Sequence, residues 1–315
     1  GNATPYALAL NADSSLLSLL SSDLSVTIYN VAQTLRGNAA PVARLARQQP
    51  LKAWGWSPTD PSCAYALEES GALSVLSLAP GGAAIGSEQA FPPLPGKQLC
   101  SASWSVDGAA LLCGTSDGQL VRLVPSAPRE AASALSPPPP DVSNGLLRLV
   151  QPLNDRFVLL GYDRPDDDPY FAVYNLTASA MQDCGDACFA LGREDPNGGD
   201  DPPPRGFYAV GLPDWRMGVV CTSDSDQVVS FGSRKGGEAQ RWQRWVLPDE
   251  EGPPAVPPFE SADGDVFEDQ YIVGLALDVT NTERIARIAG EEKFPPSPVV
   301  WALTSHGSLL AWTAL

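Results

Sequence analysis

The sequence predicts an all-β chain of the WD40-like β-propeller class, and three observations predict it. Short apolar runs alternate with polar residues at period two and end at Gly-, Asp- or Ser-rich turns, the pattern of half-buried strands. A phrase repeats: residues 51–78 read LKAWGWSPTDPSCAYALEESGALSVLSL and residues 99–124 read LCSASWSVDGAALLCGTSDGQLVRLV, aligning Trp56-Ser57 with Trp104-Ser105 and Gly71-Ala72-Leu73 with Gly118-Gln119-Leu120. The period, ~45 residues, is that of a four-stranded propeller blade. A length of 315 residues suits two ordinary domains or one large all-β domain. Units that bury their faces only against neighbours must stack, so one propeller domain over 1–315 is expected, with a pair of β-sandwiches as the alternative.

In chain order, residues 6–31 (YALALNADSSLLSLLSSDLSVTIYNV) have the shape of the repeat without its Trp or Gly. Residues 33–48 suit one or two turns of helix. In both full repeats a Trp-Ser turn ends the first strand. A Gly turn then joins the next two strands, with Gly or Asp at positive φ. Residues 127–144 contain Pro137, Pro138, Pro139 and Pro140 and read as a polyproline surface spacer, or alternatively as a ligand for an SH3- or WW-type groove. Residues 146–162 and 170–176 read as strands of a diverged blade, and 193–205 (REDPNGGDDPPPR) as an acidic surface insertion. Residues 217–231 and 299–312 keep the strand-turn-strand ending. In the run Trp242-Gln243-Arg244-Trp245 both Trp side chains are expected on one side of a strand, packed in a blade core.

Composition narrows the function. The 37 acidic against 20 basic residues give a net charge of -17. That argues against direct nucleic-acid binding, which needs clustered Lys and Arg, and against an anionic membrane surface. A basic protein fits better. No apolar run approaches the ~20 residues that span a bilayer, and the opening GNATPYALAL carries no signal-peptide pattern. It also lacks Met, so the natural start is expected to be missing. The six cysteines read as free thiols, with Cys63, Cys100, Cys113 and Cys221 in core strands and Cys184 and Cys188 at a loop spacing. Neither metal nor cofactor is expected, because the thiol pair lacks two further ligands nearby. Nor is an enzyme: the single histidine, His306, lies in the hairpin turn Thr304-Ser305-His306-Gly307, and no Gly-rich phosphate cradle is present. Acid runs such as Asp166-Asp167-Asp168 lie in Pro-rich loops that do not hold two carboxylates at a fixed separation.

The remaining chemistry is concentrated in residues 249–269, DEEGPPAVPPFESADGDVFED. This stretch holds Asp249, Glu250, Glu251, Glu260, Asp263, Asp265, Glu268 and Asp269, with Val256, Phe259 and Phe267 among them and no Lys or Arg. Its prolines forbid a helix. Strands over 242–247 and 271–279 are expected to pin its two ends. An acidic, partly apolar loop held this way is a docking surface for a basic partner, or simply a solvated loop.

These residues resemble a family. The two Trp-Ser repeats, the paired WQRW, the acidic loop, VGLALDVTN at 273–281 and FPPSPVVWALTSHGSLLAW at 294–312 are similar, in order, to the N-terminal β-propeller of the CAN-type nucleoporins of the nuclear pore's cytoplasmic face. The likeness covers nearly the whole chain and is weakest over 127–205. It implies a seven-bladed propeller, of which roughly the first blade and part of the next lie before this chain. It also implies a non-enzymatic role in mRNA export, at the cytoplasmic face and alongside other pore subunits. The family's propeller docks a DEAD-box RNA helicase through the basic surface of its first RecA-like domain, in competition with RNA. Carried over by position, the contacts are Asp249, Glu250, Glu251, Val256, Phe259, Glu260, Asp263, Asp265, Glu268 and Asp269. One departure stands out: the family loop carries a basic residue where this chain has Gly252 or Pro253. A generic WD-repeat scaffold binding a peptide on its central face is the alternative.

Overall fold

The structure, a computed structural model, describes residues 4–79, 85–128, 132–142, 145–164, 168–186, 205–233, 241–245, 256–260, 267–284 and 293–313. The chain divides into two compact units, residues 1–165 with 172–181, and residues 166–171 with 182–315. Six antiparallel meander sheets follow one another. The first holds β1 (Pro5–Leu10), β2 (Leu16–Ser21), β3 (Ser25–Asn30) and β4 (Pro41–Ala46), and the second β5 (Leu51–Trp56), β6 (Cys63–Glu68), β7 (Leu73–Leu78) and β8 (Ile85–Ala90). The third holds β9 (Leu99–Trp104), β10 (Leu111–Thr115), β11 (Leu120–Leu123) and β12 (Ser133–Ser136). The fourth holds β13 (Leu146–Pro152), β14 (Phe157–Asp163), β15 (Tyr170–Asn175) and β16 (Ala180–Asp186). The fifth holds β17 (Phe207–Leu212), β18 (Met217–Thr222), β19 (Val229–Ser233) and β20 (Trp242–Trp245). A two-residue ribbon, β21 (Phe259–Glu260) with β22 (Phe267–Glu268), precedes a sixth sheet of three described strands, β23 (Ile272–Asp278), β24 (Val299–Thr304) and β25 (Leu309–Thr313).

Strand alternation explains how a sheet serves two neighbours. On β6, Ala64 and Ala66 face the first sheet, where they join Leu20, Val26, Ile28 and Leu45. Tyr65 and Leu67, one residue out of phase, join Leu99, Trp104, Leu111 and Cys113 of the third sheet. The repeated Trp gives this stacking a polar tether. The Trp56 indole N–H reaches Ser18 Oγ (3.1 Å) in the preceding sheet, and the Trp104 indole N–H donates to the Gly55 carbonyl (3.1 Å) in its own preceding sheet. The expected Gly turns are present, with Gly71 at φ 83°, Gly118 at 77° and Gly307 at 81°.

Several expectations are corrected. The short helix allowed within 33–48 is present but begins earlier: α1 is Val31–Leu35, capped by Asn30 Oδ1 accepting from the Gln33 N–H (3.0 Å), and Pro41–Ala46 form β4. The Pro-rich stretch 127–144 is no mere spacer, because it contributes β12, which pairs with β11. Leu135 in that strand accepts a hydrogen bond from the Tyr174 hydroxyl (2.6 Å). Of the second insertion, 193–204 lie outside the described residues. Its last residue, Arg205, is buried and ion-paired to Asp224 at 2.6 Å. The first sheet has four strands, six sheets are described, and a seventh blade has no counterpart among the described residues. Five described cysteines are free, with Cys100, Cys113 and Cys221 buried and Cys63 and Cys184 partly so, while Cys188 lies outside the described residues.

Candidate partner-docking surface

The described part of the acidic stretch lies in the second unit. Asp249, Glu250, Glu251, Asp263 and Asp265 fall outside the described residues, whereas Val256, Phe259, Glu260, Glu268 and Asp269 fall within them. At the near end, Trp242 and Trp245 occupy opposite faces of their strand rather than the one face expected. Three residues apart on a strand is an odd step, so Trp242 is 2% exposed and Trp245 45% exposed. Trp245 still finds cover, since its ring lies over Gly232, where an added Cβ would sit 2.1 Å from the ring.

Val256 corrects a second expectation. In place of an apolar anchor facing a partner, it is 4% exposed and packs with Met217, Val219, Ile272 and Val300 in the protein's own core. Its N–H donates to the Asp226 carbonyl at 2.7 Å. The next residue is tied as well. Gln270, buried, donates from Nε2 to the Pro257 carbonyl (2.8 Å) and accepts at Oε1 from the Thr304 hydroxyl (2.7 Å). A buried amide left unpaired would cost about 1–3 kcal/mol, so this bridge holds the loop's path firmly.

The ribbon follows. Phe259 pairs with Glu268 and Glu260 with Phe267. Directly paired residues share a face, so Phe259 and Glu268 lie together and Glu260 lies on the other side. The Phe259–Glu268 face meets the turn between β24 and β25. The Phe259 ring stacks on the His306 imidazole with centroids 4.5 Å apart and planes at 16°. His306 Nε2 also lies 3.0 Å from Glu268 Oε2. With the Glu268 side chain 56% exposed, that pair is worth about 0–1 kcal/mol. The ring stack adds roughly 0.5–1.5 kcal/mol. His306 is itself fixed by the turn: Ser305 N–H donates to the Tyr271 carbonyl (2.8 Å), and Tyr271 N–H donates to Ser305 Oγ (3.2 Å). Sequence reasoning misses this role for His306, because Phe259 and Glu268 are distant from it in the chain.

Glu260 and Asp269 are exposed. Asp269 adds its charge to the surroundings of Asp226, whose carboxyl is pushed up from its ordinary value first by burial and then by that charge. One oxygen of Asp226 is buried without a hydrogen-bond partner. No Lys or Arg occurs from residue 245 to 283, so nothing local in the sequence neutralises this surface. A separate cavity of about 440 Å³ lies in the first unit, lined by Val106, Asp107, Leu112, Arg122, Asn154 and Leu176 among others.

No family model matches the chain. The nuclear pore complex protein Nup214 of Drosophila melanogaster is 22% identical to it over 322 residues, covering 99% of this chain and 18% of that protein. The chain therefore spans under a fifth of that relative's length. Among solved structures, the β-propeller domain of Cps50 (Swd1) from Myceliophteria thermophila matches with a TM-score of 0.58 at 10% identity, over 99% of this chain and 84% of that one. A chain of the mitotic checkpoint complex matches with a TM-score of 0.62 at 12% identity, over 99% of this chain and 75% of that one. At such identities these likenesses establish the fold, an all-β propeller with WD40-like neighbours.

Proposed function

We propose that this chain is the propeller of a nucleoporin of the pore's cytoplasmic face, and that its acidic ribbon docks the DEAD-box helicase of mRNA export. Two findings support the reading: an alignment to a nuclear pore protein over 99% of this chain and the character of the ribbon. The observation that carries it is the ribbon, which is tied to its scaffold at Val256, Pro257 and Phe259 while holding Glu260 and Asp269 outward. Carboxylates held on a firm backbone suit a basic partner, because complementary charge steers association and fixes register. The partner is the basic face of the helicase's first RecA-like domain. Because RNA needs that same face, docking and RNA exclude one another, and the propeller recycles the helicase without chemistry of its own. Of the ten positions carried over from the family, Asp249, Glu250, Glu251, Asp263 and Asp265 complete the charged surface together with Glu260 and Asp269. In the full protein a seventh blade accompanies the six described here.

The test is binding of the chain to the purified first RecA-like domain at rising salt. Exposed charge pairs are screened over about 8 Å at physiological ionic strength, so affinity should fall steeply. Charge reversal at Glu260, Asp263, Asp265 and Asp269 together should abolish binding and leave Tm within the spread of surface substitutions, about 0.5 kcal/mol. Salt-independent binding overturns the reading. A scaffold that takes a peptide elsewhere is favoured by one observation, the cavity at Arg122 and Asn154. Hydrogen-exchange protection there on adding the helicase domain, with none over 256–269, would select it.

A further inference from the structure

We propose that His306 is the positioning residue of the docking ribbon, and that Glu268 serves the scaffold rather than the partner. This rests on the docking reading above. A ribbon of two residues per strand has too little pairing to hold a fixed shape unaided. Its inner face supplies the missing hold. Phe259 and Glu268, opposite one another in the ribbon, converge on one imidazole, the ring by stacking at 4.5 Å and the carboxylate at 3.0 Å. The imidazole projects from a turn closed by Gly307 at φ 81° and by the Ser305–Tyr271 hydrogen bonds, so it is a fixed post. Alternation then leaves Glu260 on the outer face, where no hydrogen bond or ion pair engages it among the described residues. The clasp thus sorts the ribbon's acids: Glu268, itself exposed, is engaged by His306, and Glu260 is left unengaged on the other face. Holding the ribbon in its docked shape lowers the ordering cost at association, so His306 acts on affinity without touching the partner.

The experiment uses the whole chain and the purified first RecA-like domain, with variants His306→Ala, His306→Phe, Glu268→Ala, Glu260→Lys and the pairwise combinations with His306→Ala. Affinity, Tm and hydrogen exchange over 256–269 in the free protein are measured. His306→Ala should weaken binding roughly fivefold, speed exchange in the ribbon and leave Tm unchanged. His306→Phe keeps a ring for Phe259 and should recover part of both. Adding Glu268→Ala to His306→Ala should weaken binding no further, whereas Glu260→Lys should weaken it by the same factor in either background. Two results overturn the clasp: unchanged affinity and exchange in His306→Ala, or an equal loss from Glu268→Ala with and without His306. Failure of the unaltered chain to bind is a different result, and it removes the docking reading itself.

Discussion

Single residues do the joining. The turn after β9 shows how: the Ser105 hydroxyl donates to Asp107 Oδ1 (2.6 Å) and the Ala109 N–H donates to the same oxygen (3.0 Å). Those two hydrogen bonds, the hydroxyl's first, hold the Asp107 carboxyl below the usual carboxylate range. A carboxyl depressed by folding adds stability that is present above its unfolded pKa of about 3.9 and is lost as pH falls through the folded value. Asp107→Asn should therefore lower Tm near pH 6, and the difference from the unaltered chain should shrink as pH falls below the ordinary carboxylate range, read from thermal scans along a falling pH series. Asp13, Asp23 and Asp278 are lowered in a mirrored way, each accepting first from a Ser or Thr hydroxyl two residues after it, where Asp107 accepts from one two residues before. The spacing Asp-x-Ser/Thr at strand ends is in plain view in the sequence. By itself it reads only as generic turn chemistry, because the hydrogen bond depends on a backbone bend the residue types do not specify. The tethering Trp is a second joining device. Trp104→Phe loses the N–H bond to the Gly55 carbonyl and part of the buried indole's volume, and should cost more than the about 1 kcal/mol of the hydrogen bond alone in denaturant unfolding.

At the scale of elements, the sheets meet so closely that some positions admit no side chain. Gly114 on β10 is one: a Cβ there would lie 2.3 Å from the Leu147 carbonyl of β13 in the next sheet. Backbone cannot swing aside as a side chain tip can, so Gly114→Ala should destabilise by about 1–3 kcal/mol, the scale of overpacking, without altering the ribbon. The ribbon makes the complementary case. Val256→Ala should cost about 2 kcal/mol through the cavity it leaves, and any loss of docking would follow that loss of stability. Glu260→Lys should do the reverse, with docking reduced and Tm unchanged. Urea melts run beside binding assays separate the two. Strands and Gly turns are legible because period two and positive-φ Gly are local signals. The burial of Val256 is not, since the flanking prolines interrupt any period and only the packing of the fifth sheet against the sixth decides it. Likewise β12 lies hidden in a Pro-rich tract whose composition argues against a strand until β11 offers it an edge.

For the whole molecule, the distribution of charge and apolar surface sets how it meets others. In the first unit the outer face of β1 leaves Tyr6, Leu8 and Leu10 at 53%, 65% and 53% exposed, while Ala7 and Ala9 pack inward. In the second unit Trp301, Leu303 and Leu309 are 37%, 44% and 62% exposed on the last sheet. Contiguous apolar faces of this kind mark surfaces that other sheets or proteins cover. What opposes self-association is a net charge of -17, and that repulsion is long-range and screened by salt, whereas apolar contact is not. The chain should therefore sediment as a monomer in dilute salt at neutral pH and associate as salt rises. Leu8→Glu together with Leu309→Glu should suppress the association and leave Tm unchanged, because both side chains are already largely in water. On the proposed docking reading, salt should act with opposite signs on two surfaces of one protein, weakening docking through the acidic ribbon and strengthening self-association through the bare apolar faces. Sedimentation velocity over the salt series used for binding measures both. Association that weakens with salt would place the acids, not the exposed leucines, at the self-contact.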